Sequence, residues 1–126
     1  MSNRIVHFEI PVDDQDRANA FYEDAFGWEI TSIPEVGYTG VATGPANEQG
    51  PTEAGYINGG MFKREGDLAT PMLTVDVADI DAALSAIGKL GGTAVREKFA
   101  VGDMGFAAYF TDSEGNLVGL WETAAG

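Results

Sequence analysis

The sequence predicts an α+β fold made of two βαβββ modules within one chain. Three observations predict it: alternating apolar residues open each half, an amphipathic helix follows, and three further strand-like segments come after each helix. The modules are predicted at residues 4–62 and 70–123, with a polar linker at 63–69. At 126 residues the chain is expected to form a single domain.

The first module opens with a strand at residues 5–12. Its even positions are apolar, whereas His7 and Glu9 belong to the other face. Asp14 is suited to cap the following helix and Gly27 to end it. The helix aromatics Phe21, Tyr22 and Phe26 are predicted to be core, and Trp28 to pack the helix on the sheet. Three more strands are expected at 28–32, 38–43 and 55–62, with a mobile loop at 44–53.

The second module repeats this order. A strand is expected at 72–77, a helix capped by Asp79 and ended by Gly91 and Gly92, and strands at 93–98, 106–111 and 117–123. A shift of 65 residues aligns Asp14 with Asp79, which is a weak repeat signal that agrees with the element order. Each helix should cover one sheet face, and we expect the free faces to form two curved sheets around a shared cleft.

Composition excludes several functional classes. The chain carries 20 acidic and 7 basic residues, a net charge of −13, which argues against nucleic acid and anionic membranes as partners. Without cysteine it has no disulfide or thiol chemistry, and its single histidine excludes two-histidine metal motifs within the chain. No apolar run approaches a membrane span, and the first residues lack a signal sequence, so a cytoplasmic protein is expected.

Three segments carry a resemblance to a known family: HFEIPVDDQDRANAFYEDAFGWEI, VDVADIDAALSAIGKLGG and FTDSEGNLVGLWE. In these the chain resembles the vicinal oxygen chelate superfamily of glyoxalase I, bleomycin-resistance proteins and extradiol dioxygenases. It is most similar to the bacterial branch of predicted enzymes related to lactoylglutathione lyase. The resemblance covers nearly the whole chain and implies a glyoxalase-like fold, a small-molecule ligand and a homodimer. It does not fix the reaction, because one scaffold serves lyases, dioxygenases and drug binders.

The resemblance also implies where a metal ion would bind. Metal-dependent members use one side chain from the first and last strand of each half, and these positions correspond to His7, Gly60, Met72 and Gly119. Catalytic divalent ions need about three protein N or O ligands, and glycine supplies none. Methionine suits soft ions only. We therefore predict no cofactor and no family-type metal site, with His7 as the one retained ligand.

The candidate ligand-binding residues are those expected to share a face with these positions: His7, Glu9, Tyr56, Asn58, Gly60, Met72, Thr74, Gly119 and Trp121. His7 and Glu9 are also the candidates for acid or base catalysis. The orientation of Tyr38 and Tyr109 is left open by the sequence.

Two functions are compatible with this pattern. The first is binding of a small, largely apolar molecule in a metal-free cleft. The alternative is a lyase or isomerase that uses Glu9 or His7 as acid or base, or a metal held by His7 with Glu9 or Glu122. The sequence identifies neither the ligand nor whether the chain is an enzyme. It also leaves open whether the modules pair within one chain or swap between two.

Overall fold

The structure is a computed structural model that describes residues 3–33, 38–47 and 49–125. The chain divides into two compact units, residues 7–71 (the N-terminal unit) and residues 1–6 with 72–126 (the C-terminal unit). Residues 4–6, assigned above to the first module, therefore group with the second. Asn3 N donates to Asp76 O and Asp76 N to Arg4 O, each at 2.9 Å, which accounts for this grouping.

The N-terminal unit follows the predicted order of elements. Its first strand starts at Ile5, two residues before the boundary of the unit at His7. Its elements are β1 (Ile5–Val12), α1 (Gln15–Phe26), β2 (Glu29–Ile33), β3 (Tyr38–Ala42), β4 (Ala46–Asn47), β5 (Gly50–Pro51) and β6 (Asn58–Lys63). The main sheet has the order β2-β3-β6-β1, in which β1 and β6 are parallel and the other pairs antiparallel.

The ends of α1 are where the sequence predicts them. The Asp14 side chain accepts from Arg17 N at 3.0 Å, which satisfies one of the free N–H groups of the first turn. Gly27 closes the helix at φ 71°, a left-handed conformation that glycine adopts without a steric penalty, and its N–H bonds to Glu23 O.

The aromatic residues of α1 correct one prediction. Tyr22 packs on the buried cluster of Val12, Val41 and Met61, and its ring stacks on Trp28 at 5.0 Å. Phe21 and Phe26 are not core residues, since 62% and 63% of their surfaces are exposed. The sheet side of the helix is already filled by Tyr22 and Trp28, so these two rings lie at its margins. The predicted role of Trp28 is confirmed.

The segment between β3 and β6 also differs from expectation. The predicted loop at 44–53 contains the two-residue strands β4 and β5, which pair with each other, while Glu48 lies outside the described residues. The strand expected from residue 55 begins only at Asn58. Gly55 has a φ of 109°, which is incompatible with an extended strand, and this explains the later start.

The C-terminal unit is built in the same way. Its elements are β7 (Met72–Asp76), α2 (Ile80–Lys89), β8 (Thr93–Val101), β9 (Gly105–Thr111) and β10 (Leu117–Thr123). The strand order is β7-β10-β9-β8, with β7 and β10 parallel. β8 extends three residues beyond its predicted end and contains two register shifts.

Helix α2 is fixed at its N-terminus by two carboxylates. The Asp79 side chain accepts from Ala82 N at 3.1 Å, as predicted for the cap. The Glu122 side chain accepts from Ile80 N at 2.9 Å and pairs with Lys98 at 3.2 Å. The Ile80 side chain is fully buried with Ala108 and Leu120, so this first turn joins helix and sheet.

The turn between β9 and β10 is closed by Asp112. Its carboxylate accepts from the backbone N–H groups of Asn116 and Glu114, and these bonds lower the pKa of Asp112. Because the folded-state pKa is depressed, the stabilisation is present above the unfolded-state pKa and is lost as the pH falls through the folded value.

Both helices are short, 12 residues in α1 and 10 in α2. A bilayer-spanning helix needs about 20 apolar residues. Within residues 3–33, 38–47 and 49–125, no helix has the length and apolar character to cross a membrane.

Candidate functional site

The two faces of β1 separate apolar from polar side chains. Phe8, Ile10 and Val12 lie in the core beneath α1, so His7 and Glu9 project from the opposite face of the N-terminal unit's sheet. Glu9 is buried, with 8% of its surface exposed, whereas the His7 side chain keeps 33%. The structure therefore brings together the two polar residues that the sequence assigns to one face.

Tyr38 completes a hydrogen-bonded trio with them, which we call the His7–Tyr38–Glu9 trio. The Tyr38 hydroxyl donates to Glu9 Oε2 at 3.1 Å, and His7 Nε2 lies 2.8 Å from the same oxygen. His7 Nε2 is also 2.5 Å from the Tyr38 hydroxyl. An ionised carboxylate only accepts, so His7 Nε2 compensates Glu9 in the tautomer that carries its proton on Nε2.

Gly60 makes the trio possible. Gly60 lies on β6, in register with Glu9 of β1 on one side and with Gly40 of β3 on the other. A Cβ at Gly60 would overlap the hydroxyl and ring of Tyr38, so this side chain crosses from β3 toward β1 over the glycine. The position that the resemblance maps as an empty ligand site is thus filled by a phenol from the neighbouring strand.

Two other predicted residues of this unit hold the loop between β3 and β6. Asn58 pairs with His7 in the sheet, and its Oδ1 accepts from Thr43 N at 2.9 Å. Tyr56 precedes β6, so strand alternation does not orient it. Its hydroxyl donates to Pro45 O and its ring lies against Gly44. The structure does not join Tyr56 to the trio, because the strand starts later than expected.

In the C-terminal unit, four predicted residues lie together on the sheet face opposite α2. Met72 and Thr74 are buried on β7, and Gly119 pairs with Thr74. A Cβ at Gly119 would come within 2.9 Å of the Thr74 hydroxyl, so this glycine is closely packed. Trp121 lies on the same face by alternation, and its indole donates to Thr123 Oγ1 at 3.2 Å.

The orientation of Tyr109 is now defined. It pairs with Gly119, while the adjacent Ala108 belongs to the core beneath α2, so Tyr109 projects from the face opposite that helix. Its ring lies edge-on to Phe99 at 5.7 Å. The sheet face of this unit that α2 leaves uncovered is therefore aromatic.

Glu122, the alternative metal ligand, lies on the other side of that sheet. One carboxylate oxygen bonds to Ile80 N and the other to Lys98, beneath α2. Both oxygens are therefore engaged, one at the start of α2 and the other with Lys98. Glu122 does not share the face of Gly119 and Trp121.

Tyr38 is the residue whose role the sequence left open. Its orientation depends on the register of β3 against β6, a long-range property, and on the missing side chain at Gly60. The sequence feature that points to this contact is the Y-T-G segment of β3, together with the glycine pair of β6, the strand that pairs with β3. A glycine within a strand often marks the close approach of another group.

The donor set does not fit a catalytic divalent ion. Of the four mapped positions, Gly60 and Gly119 offer no side-chain donor, and Met72 offers a thioether. In the described part of the chain, no three His, Cys, Asp or Glu side chains converge as an ion would require. His7 Nε2 is hydrogen-bonded to Tyr38 and lies 2.8 Å from Glu9 Oε2.

Comparison with known proteins supplies relatives in sequence. A family model described as bleomycin resistance protein-like N-terminal matches residues 4–44. The Mycobacterium tuberculosis protein named "Putative glyoxylase CFP32" is 30% identical over 114 residues, which cover 90% of this chain and 43% of that protein. The chain therefore spans less than half the length of the curated relatives that it matches.

Solved structures supply relatives in fold. A methylmalonyl-CoA epimerase from Mycobacterium tuberculosis matches 96% of this chain and 88% of its own at a TM-score of 0.58 and 22% identity. A variant of the Streptomyces coelicolor methylmalonyl-CoA epimerase, in complex with 2-nitronate-propionyl-CoA, matches 99% and 100% at a TM-score of 0.64 and 19% identity.

These matches confirm the predicted glyoxalase-like α+β fold. They also confirm the resemblance to glyoxalase and bleomycin-resistance proteins. At such low identities the solved structures establish the fold and not the reaction. The chemistry of this chain therefore depends on its own side chains.

Proposed function

We propose that this chain binds a small, largely apolar molecule without a metal ion, and that the His7–Tyr38–Glu9 trio is the polar anchor of the site. The single observation that carries the proposal is the trio itself. Its three groups meet within hydrogen-bond distance on one sheet face, and the His7 edge reaches solvent. Binding sites of this kind combine apolar walls with a few placed polar groups.

The negative charge of the chain restricts the chemical class of the ligand. A net charge of −13 and the carboxylate of Glu9 both disfavour an anion, such as a glutathione adduct.

A second candidate is a lyase or isomerase. It is favoured by the placement of one base, Glu9, beside two donors, Tyr38 O–H and His7 Nε2–H. Glu9 would take a proton from a carbon next to a carbonyl, and the electron pair would move to the carbonyl oxygen. Once Glu9 is neutral, the two donors would turn from its Oε2 to that oxygen and stabilise it until the proton returned. If a compound binds but is neither converted nor exchanges a hydrogen with solvent, the lyase or isomerase candidate is excluded.

Metal content tests the metal-free part of the proposal. After exposure to Ni²⁺, Co²⁺, Zn²⁺, Mn²⁺ or Fe²⁺ and thorough desalting, we expect far less than one ion per chain by plasma mass spectrometry. His7→Ala should leave that value unchanged, because His7 has too few neighbouring donors to form a site. One ion per chain that is lost with His7→Ala would overturn the proposal.

A ligand screen by thermal shift tests the binding part. Compounds that stabilise the metal-free chain should lose their effect in His7→Ala, since ligands stabilise only through the native site. Hits that are insensitive to His7→Ala would place binding away from the trio.

A further inference from the structure

Glu9 has an unused oxygen. The one hydrogen bond to its carboxylate, from Tyr38, goes to Oε2, and His7 Nε2 lies 2.8 Å from the same oxygen. Oε1 accepts none from the residues that the structure describes. Every fully buried side-chain N or O atom in that part of the chain has a partner, so Oε1 must reach the surface. The trio therefore presents one acceptor outward from an otherwise buried carboxylate.

Glu9 also lacks a strong counter-ion. The side chain is only 10% exposed, and its sole ion-pair partner among the described residues is His7. A carboxylate in low dielectric is costly unless a cation or hydrogen-bond donors compensate it. Tyr38 and His7 both lie against Oε2, and no described residue donates to Oε1.

The surroundings of Glu9 leave room beside it. Gly60 and Gly40 lie in register with Glu9 across β6 and β3. Tyr38 fills the space above Gly60, but a Cβ at Gly40 would meet nothing closer than 3.7 Å. The sheet beside the Tyr38 ring therefore consists of glycine backbone, with Ile33 Cδ1 4.0 Å from the position of a Gly40 Cβ, and a flat or slender group fits this space best.

We propose that Glu9 Oε1 binds a protonated amine carried on a small apolar ligand, with Tyr38 as the residue that orients the carboxylate. This rests on the proposed function and names its ligand class. The ammonium group donates to Oε1 in a charge-assisted hydrogen bond and lies against the Tyr38 ring. The net charge of −13 raises the local concentration of cations and excludes anions.

Three probes of one size and different charge test the proposal on the unaltered chain: benzylamine, benzyl alcohol and benzoate. His7 is the only histidine, so its imidazole NMR signals report on the trio without ambiguity. We expect these signals to shift with benzylamine, more weakly with benzyl alcohol, and not with benzoate. Equal shifts from all three, or none from benzylamine, would overturn the amine assignment.

A matched pair of variants separates the site from general attraction. Glu9→Gln and Glu29→Gln both remove one negative charge, but Glu29 is an exposed residue of β2 in the same unit. Benzylamine affinity should fall about tenfold or more in Glu9→Gln and stay unchanged in Glu29→Gln. Equal losses would mean that the net charge, not Glu9, attracts the amine.

Tyr38→Phe tests the positioning role. It removes the hydroxyl but keeps the ring, so the carboxylate loses its hydrogen bond from Tyr38. Benzylamine should bind more weakly while benzyl alcohol changes less, and an unchanged ratio between the two would contradict the assignment. If benzylamine fails but the screen yields neutral ligands that depend on His7, the amine inference falls and the proposed function stands.

Discussion

Gly60→Ala is expected to disrupt the trio, whereas Gly40→Ala should leave it intact. The two glycines face each other across β6 and β3, so they differ little in strand environment. A methyl at Gly60 overlaps Tyr38, while one at Gly40 makes ordinary contacts at 3.7 Å or beyond. Overpacking of this kind costs about 1–3 kcal/mol of unfolding free energy. Urea denaturation gives that value, and the His7 imidazole signals report the loss of the trio.

A second-site change provides the control for Gly60→Ala. Tyr38→Ala removes the ring that the new methyl would strike, so Gly60→Ala should cost much less in that background. The coupling between the two positions is measured by a double-mutant cycle. Strict additivity would mean that Tyr38 does not lie over Gly60, and the account of the site would be wrong.

Ile80→Ala should produce the largest loss of stability in the C-terminal unit. Ile80 is fully buried at the start of α2, in one cluster with Ala108 and Leu120. Truncation of such a side chain costs about 2–5 kcal/mol through lost transfer free energy and an unfilled cavity. Chemical denaturation measures the effect. The backbone bond from Ile80 N to Glu122 is retained in the variant, so the change isolates the side chain.

Leu73→Ala is the matched control for this variant. Leu73 is also a branched aliphatic residue of the C-terminal unit, but 49% of its surface is exposed. Its truncation should cost well under half of the Ile80→Ala value. Equal losses at the two positions would contradict the assignment of the core beneath α2.

Local signals in the sequence predict most of the fold. Alternation in β1 separates His7 and Glu9 from the core, and Asp14 and Asp79 cap their helices because short acidic side chains satisfy free N–H groups. Helical spacing alone misassigned Phe21 and Phe26. Helical spacing shows which residues form the apolar face of the helix. It does not show how many of them contact the sheet, and here Tyr22 and Trp28 occupy that contact.

The site is predicted only in part. The paired residues His7 and Glu9 follow from one strand, since their relation is local. Tyr38 reaches them from a strand about 30 residues away, and single-strand alternation cannot give that register. Tyr56 was misplaced for a related reason: a left-handed glycine at Gly55 delays the strand, and the sequence does not reveal that conformation.

The protonation of His7 tests the central claim most directly. In ¹⁵N-labelled protein the single imidazole gives one set of nitrogen signals, and the account predicts a proton on Nε2 that exchanges slowly with solvent. Tyr38→Phe and Glu9→Gln should both change that signal, because each removes one partner of Nε2. A bare Nε2 with the proton on Nδ1, insensitive to both substitutions, would contradict the His7–Tyr38–Glu9 trio and the function built on it.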